Sequence, residues 1–196
     1  MDKKKTVIVL ALAFVLLIGG ASVLYTQLGK NEAPDQLLTQ EDNRNEKPND
    51  GSTDNTERQL TEAPDFAVYD GAGKQVRLSE YVGKPIVLNF WASWCGPCQM
   101  EMPDFHEKYL EIGENIHFLM VNMIGGRETL STAKAFIAEK GYTFPVLFDT
   151  DADAAMTYSV YSLPTTYFID AEGYLVAQAT GAISADTLQR GIDMIQ

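Results

Sequence analysis

Pro85-Ile86-Val87-Leu88-Asn89-Phe90-Trp91, followed after Ala92 and Ser93 by Trp94-Cys95-Gly96-Pro97-Cys98, is the stretch that decides the fold of this chain. A near-continuous apolar run of that length predicts a central strand buried on both faces. A helix is predicted from the Cys-x-x-Cys region to about Ile112, because Phe105, Tyr109 and Ile112 recur at the spacing of one helix face. The cysteines therefore stand where a buried strand gives way to a helix. Two cysteines at i and i+3 in a first helical turn can close a disulfide with little backbone movement. The first faces unpaired N–H groups at the helix N-terminus, whose partial positive charge favours thiolate over thiol. Thiolate is the nucleophile in disulfide exchange, and cysteines so placed have pKa values lowered to about 3.5–7.5. Cys95 is thus expected to attack a disulfide, and Cys98 to resolve the mixed disulfide that results.

Outward from this stretch, Phe66-Ala67-Val68-Tyr69 and Val76-Arg77-Leu78 flank the turn Asp70-Gly71-Ala72-Gly73 and read as a hairpin. Residues 116–123 predict the next strand. Leu130, Ala133, Phe136 and Ile137 predict a helix that stops at Gly141, a natural C′ residue. A short strand is expected over 144–148. Residues 165–170 and 174–179 flank Ala171-Glu172-Gly173 as a second hairpin, and Leu188, Ile192 and Ile195 give a closing helix capped by Ser184. Alternating strands and helices with an antiparallel ending predict an α/β domain, a mixed central sheet with helices on both faces. No internal repeat is present.

The remainder of the 196 residues is appendage. Lys3, Lys4 and Lys5 precede an uncharged apolar run from Thr6 to Tyr25. Twenty helical residues at about 1.5 Å each cover a hydrocarbon core of roughly 30 Å. Segment 1–28 therefore reads as a transmembrane anchor or signal segment, with the lysines cytoplasmic and everything after Tyr25 outside. The run exceeds a typical signal-peptide core, which favours a retained anchor over cleavage near Gly19-Gly20-Ala21. No cysteine follows the run, which excludes a lipidated N-terminal cysteine. Segment 29–61 is polar and aperiodic and reads as a disordered acidic linker. Ten acidic residues against Arg44, Lys47 and Arg58 between Asn31 and Asp65 leave −7 of the formal net charge of −12. No basic stripe occurs, which argues against nucleic-acid binding. The domain proper is 62–196.

Trp91-Ala92-Ser93-Trp94-Cys95-Gly96-Pro97-Cys98, followed by Leu163-Pro164-Thr165-Thr166-Tyr167-Phe168-Ile169-Asp170, resembles the thioredoxin superfamily. More narrowly it resembles the TlpA/ResA-like exported thiol–disulfide oxidoreductases, over essentially all of 62–196. Cys-x-x-Cys alone is moderately specific. With the later Leu-Pro-Thr-Thr, the paired tryptophans and the export signal, the match is strong. The resemblance implies a thioredoxin-like sheet with an N-terminal β-hairpin and an inserted helix–strand element. It also implies a redox-active Cys95–Cys98 disulfide as the only redox group. Pro164 matches the cis-proline loop that faces the Cys-x-x-Cys and offers backbone to substrate. Trp94, Gly96, Pro97, Leu163 and Pro164 are then the expected substrate-binding residues, and Pro103 the proline within the active-site helix.

The acid–base group is less obvious. Thioredoxins carry a buried Asp on the strand before the Cys-x-x-Cys, where this chain has Asn89, which cannot shuttle a proton. Glu101 matches the position of an active-site glutamate in ResA-like proteins, and a carboxylate in a partly apolar site can be raised toward neutral pH. A solvated helix glutamate is the plain alternative. ResA-like proteins often carry Glu between the cysteines; Gly96-Pro97 is the thioredoxin dipeptide and argues for a reducing potential, within a range of about −270 to −120 mV.

Other readings fare worse. A purely structural disulfide closing so small a loop constrains the unfolded chain weakly. Zinc needs about four ligands, and beyond the two cysteines only His106 and His117 are available, so no metal site is expected. Asp149-Thr150-Asp151-Ala152-Asp153 mimics the start of a calcium loop but lacks its Gly and its terminal Glu, and reads as a loop and helix cap. Peroxiredoxins use a lone peroxidatic cysteine after Pro and Thr, which is absent. The expected function is reduction of disulfides in exported proteins by a monomer. Its substrates could include apocytochrome c, and a membrane thiol donor of the CcdA/DsbD type would recharge it. A disulfide-introducing oxidase and a redox-inactive binding module on the same fold are the alternatives.

Overall fold

The computed structural model describes residues 37–39 and 61–196. The anchor read over 1–28 and most of the linker read over 29–61 lie outside the described residues. Among the described residues no helix is long and apolar enough to cross a membrane.

The elements run β1 (Leu38–Thr39), β2 (Thr61–Glu62), β3 (Ala67–Tyr69), β4 (Gln75–Arg77), β5 (Ile86–Trp91), α1 (Gly96–Ile112) and β6 (His117–Met123). They continue with α2 (Leu130–Lys140), β7 (Val146–Asp149), α3 (Asp153–Thr157), β8 (Thr165–Ile169), β9 (Tyr174–Thr180) and α4 (Ala185–Asp193). One sheet takes the order β1-β9-β8-β5-β6-β7-β3-β4, with β2 also on β9. The three strands β5, β6 and β7 are parallel, joined through α1 and α2; β8, β9 and the β3–β4 hairpin are antiparallel additions.

All six residues of β5 are buried, as its apolar run requires. Strand alternation then sorts them. Val87 and Trp91 join the core formed with Met102 and Phe105 of α1, Ala133 of α2, and Leu188 and Ile192 of α4. Ile86, Leu88 and Phe90 point into a second core with Phe66, Val68, Tyr158 and Tyr167. Asn89 shares its parity with Val87 and Trp91, and its side chain meets α1. The predicted terminators are in place. Gly141 ends α2 in the left-handed region at φ 69°, and the Ser184 side chain accepts from the Thr187 N–H to cap α4.

Two boundaries differ from the sequence reading. Leu38–Thr39, inside the segment read as linker, pair with Gln178 and Ala177 of β9. Leu37 packs on the core, so this short apolar island finds the open edge of β9 in an otherwise polar stretch. Strand β7 begins after Pro145, whose missing N–H cannot continue a ladder, although its carbonyl still accepts from Met120 N–H at 3.2 Å. Between β7 and Pro164 lies α3 (Asp153–Thr157); buried Asp149 accepts from the Ala154 and Ala155 N–H groups and caps it, as the acidic run suggested.

Candidate active site

The end of β5 and the start of α1 bring Cys95 and Cys98 together. They are joined as a disulfide with Cα atoms 5.3 Å apart, inside the geometric window for such a bond. Cys95 is the N-cap of α1, and its Sγ accepts from the Cys98 N–H at 3.2 Å. This is the contact by which a helix N-terminus stabilises charge on sulfur. Pro97 occupies the first turn, where its missing N–H costs nothing. Cys98 is fully buried and Cys95 nearly so.

The Leu163–Pro164 peptide is cis, as the resemblance implied. Trp94, Cys95, Gly96, Pro97 and Leu163 line one groove, together with residues of the β6–α2 loop and the 160–162 segment. Pro164 is not among the groove-lining residues; it is buried, and its carbonyl accepts from the Gly181 N–H at 2.8 Å. Trp94 is 46% exposed at the groove's rim.

Glu101 is 2% exposed, so the solvated alternative does not hold. Its Oε1 accepts from Asn89 Nδ2 at 2.8 Å, and its Oε2 accepts from the Ile183 N–H at 2.9 Å. Burial pushes its carboxyl up, to about 7, against those two hydrogen bonds, with Asp104 adding in the same direction. Asn89 also donates to Thr166 Oγ1 at 3.0 Å across the β5–β8 pair, while its own Oδ1 has no hydrogen-bond partner among the described residues. A proton-binding carboxyl thus sits one helical turn beyond Cys98, next to an amide that holds it.

Two residues absent from the sequence reading belong here. Glu128, also 2% exposed, reaches from the loop after β6 to the loop that carries the cysteines. It accepts from the Ser93 N–H, from Ser93 Oγ at 2.9 Å, and from Thr132 Oγ1 at 2.5 Å. Burial raises its carboxyl, but the hydrogen bonds from Thr132, Ser93 and Asn122 outweigh this and hold it below the usual carboxylate value. Its neighbour Arg127 places its guanidinium 4.5 Å from the centroid of the Trp94 ring. Ser93 and Glu128 are far apart in sequence, and a Glu in a polar loop carries no sign that it will be buried. His106 and His117 lie away from the disulfide. His106 meets Thr143 and the rings of Tyr142 and Phe144, and His117 meets Tyr81.

Comparison with known proteins agrees with this site. The AhpC/TSA family matches residues 60–178. The ResA thiol–disulfide oxidoreductase of Geobacillus kaustophilus is 38% identical over 135 residues, 68% of this chain and 76% of the relative. That of Bacillus subtilis is 33% identical over 137 residues, covering 69% and 75%. Among solved structures, the exposed lipoprotein thioredoxin of Streptococcus pneumoniae superimposes with a TM-score of 0.57 at 38% identity, over 66% of this chain and 98% of that one. A Cys-x-x-Cys disulfide at the tip of a helix on a thioredoxin-type sheet, with relatives of this kind, leaves one conclusion: the chain belongs to the AhpC/TSA family and is a thiol–disulfide oxidoreductase of the ResA-like group.

Proposed function

We propose that this chain is a membrane-anchored, extracytoplasmic reductase of disulfides in exported proteins. The observation that carries the mechanism is Glu101, a buried carboxyl titrating near neutrality one turn beyond Cys98. The Cys95 thiolate attacks one sulfur of a substrate disulfide, forming a mixed disulfide and releasing one substrate thiolate. Cys98 is buried, which disfavours its thiolate. Ionised Glu101 accepts the Cys98 proton. The new thiolate then attacks Cys95 Sγ, closes the Cys95–Cys98 disulfide and releases the second substrate thiolate. Two electrons pass from the protein to the substrate, and a membrane thiol donor of the CcdA/DsbD type returns them. Gly96-Pro97 supports the reducing direction. The basic and apolar N-terminal sequence supports the anchor, and the similarity to the pneumococcal exposed lipoprotein thioredoxin supports the location. Apocytochrome c, whose cysteines must be reduced before haem attachment, is the substrate this reading favours.

Equilibration with glutathione or dithiothreitol buffers tests the direction. The expected potential lies near that of thioredoxin, about −270 mV; a value above about −200 mV would make the chain an oxidant and overturn the reductase reading. Trapping on Cys98→Ser in intact cells identifies the partners, because its mixed disulfides cannot be resolved.

A further inference from the structure

The groove beside the disulfide mixes apolar walls with a few polar groups and holds a single charged side chain among the described residues. Trp94, Met123, Tyr161 and Leu163 give it ring and aliphatic walls, and among the described residues Arg127 is the one cation that lines it and no carboxylate does. Such isolation is unusual in a chain of formal charge −12. Arg127 forms no ion pair among the described residues. Its guanidinium carbon lies 4.5 Å from the centroid of the Trp94 ring, close enough for a cation–π contact, and the five N–H donors of a guanidinium are suited to a carboxylate brought into the groove.

Arg127 is also not a free surface side chain on a loose loop. Gly125 to Glu128 form a turn closed in both directions, Gly125 N–H to Glu128 O at 3.1 Å and Glu128 N–H to Gly125 O at 2.9 Å. Gly125 and Gly126 supply the positive φ values, 139° and 58°, that the turn needs. The turn is then locked to the cysteine loop by the buried Glu128 carboxylate through Ser93. The backbone that presents Arg127 is therefore fixed relative to Cys95.

We propose that Arg127 is a specificity determinant, selecting partner segments that carry a carboxylate side chain within two residues of the cysteine that joins Cys95. An extended segment advances about 3.3 Å per residue, so such a side chain reaches along the groove wall while its cysteine sits at the disulfide. A guanidinium pairs with a carboxylate through two parallel hydrogen bonds, and its partial desolvation on Trp94 strengthens that pairing. The inference rests on Cys95 being the attacking sulfur.

The test uses the full chain bearing Cys98→Ser, reduced, and synthetic peptides whose single cysteine is linked to thionitrobenzoate. Cys95 thiolate attacks the peptide sulfur, the Cys95–peptide disulfide forms, and coloured thionitrobenzoate leaves. Peptides differ only in carrying Glu or Lys within two residues of the cysteine, and the readout is the ratio of their second-order rates at fixed salt. The Glu peptide should react on the order of fivefold faster than the Lys peptide, as expected for one partly exposed pair. Arg127→Gln should bring the ratio close to one, Arg127→Glu should invert it, and Arg127→Lys should keep its sense. The same ratio in the parent and Arg127→Glu, or a parent preference for Lys, overturns the proposal. Failure of every peptide to react with folded protein removes the premise that Cys95 attacks, and the selectivity proposal with it.

Discussion

Asn89 Nδ2 donates to Glu101 Oε1 at 2.8 Å, tying the central strand β5 to the active-site helix α1 through a buried amide–carboxyl contact. The amide can hold the carboxyl but cannot exchange its proton, so the titrating group of this pair is the one on the helix.

Glu101 therefore makes stability depend on pH in a set direction. Its carboxyl is raised from 4.5 to about 7 in the folded state, so the native protein holds this proton more tightly than the unfolded chain does. Its contribution is full below about pH 4.5, declines as pH rises to about 7, and is absent above. At roughly 1.4 kcal/mol per unit, the parent should lose about 3 kcal/mol relative to Glu101→Gln between pH 4 and pH 8. Urea unfolding of both proteins across that range measures it. Parallel curves would show that Glu101 titrates normally.

Asn89→Asp places a second carboxyl against the first. Two carboxylates at hydrogen-bond distance cannot both ionise without a large cost, and they titrate as a pair. The alkaline member of the pair should lie at least one unit above the parent's value. The pH profile of Cys98 alkylation in reduced protein reads this shift; a profile superimposable on the parent's would separate Asn89 and Glu101 from the thiol chemistry.

Glu128→Ala should destabilise the domain by about 2–4 kcal/mol, because it leaves the Ser93 N–H and the Thr132 hydroxyl without their acceptor. Glu128→Gln keeps an acceptor and should cost less than half as much. Denaturant midpoints rank the three proteins, and an Ala variant as stable as the parent would remove Glu128 from the list of buried anchors.

Gly191 of α4 lies against Phe168 so closely that an added Cβ would sit 2.2 Å from Phe168 Cζ. Both elements belong to the core that carries Cys98. Gly191→Ala should therefore cost about 1–3 kcal/mol despite alanine's better helix propensity. A lowered Tm is the expected reading, and an unchanged or raised one would show that α4 shifts freely.

Much of the fold was legible from local pattern. The apolar run of β5, the turns at Asp70-Gly71-Ala72-Gly73 and Ala171-Glu172-Gly173, the stop at Gly141 and the Ser184 cap each rest on a few adjacent residues, so the chain states them directly. Boundaries shifted where a single residue overrode the pattern, as Pro145 did for β7.

The sequence by itself determined the Cys-x-x-Cys at a strand-to-helix junction, because spacing within one turn fixes that chemistry; the proline loop at Pro164 was legible through the resemblance to the thioredoxin superfamily. Only the tertiary structure decided that Glu101 is buried against Asn89 and Ile183, that Glu128 anchors Ser93, and that Arg127 lies on Trp94. Except for the step from β5 to α1, these contacts join residues more than thirty positions apart. Burial and long-range hydrogen bonding are properties of the packed chain, and no local window of residues contains them.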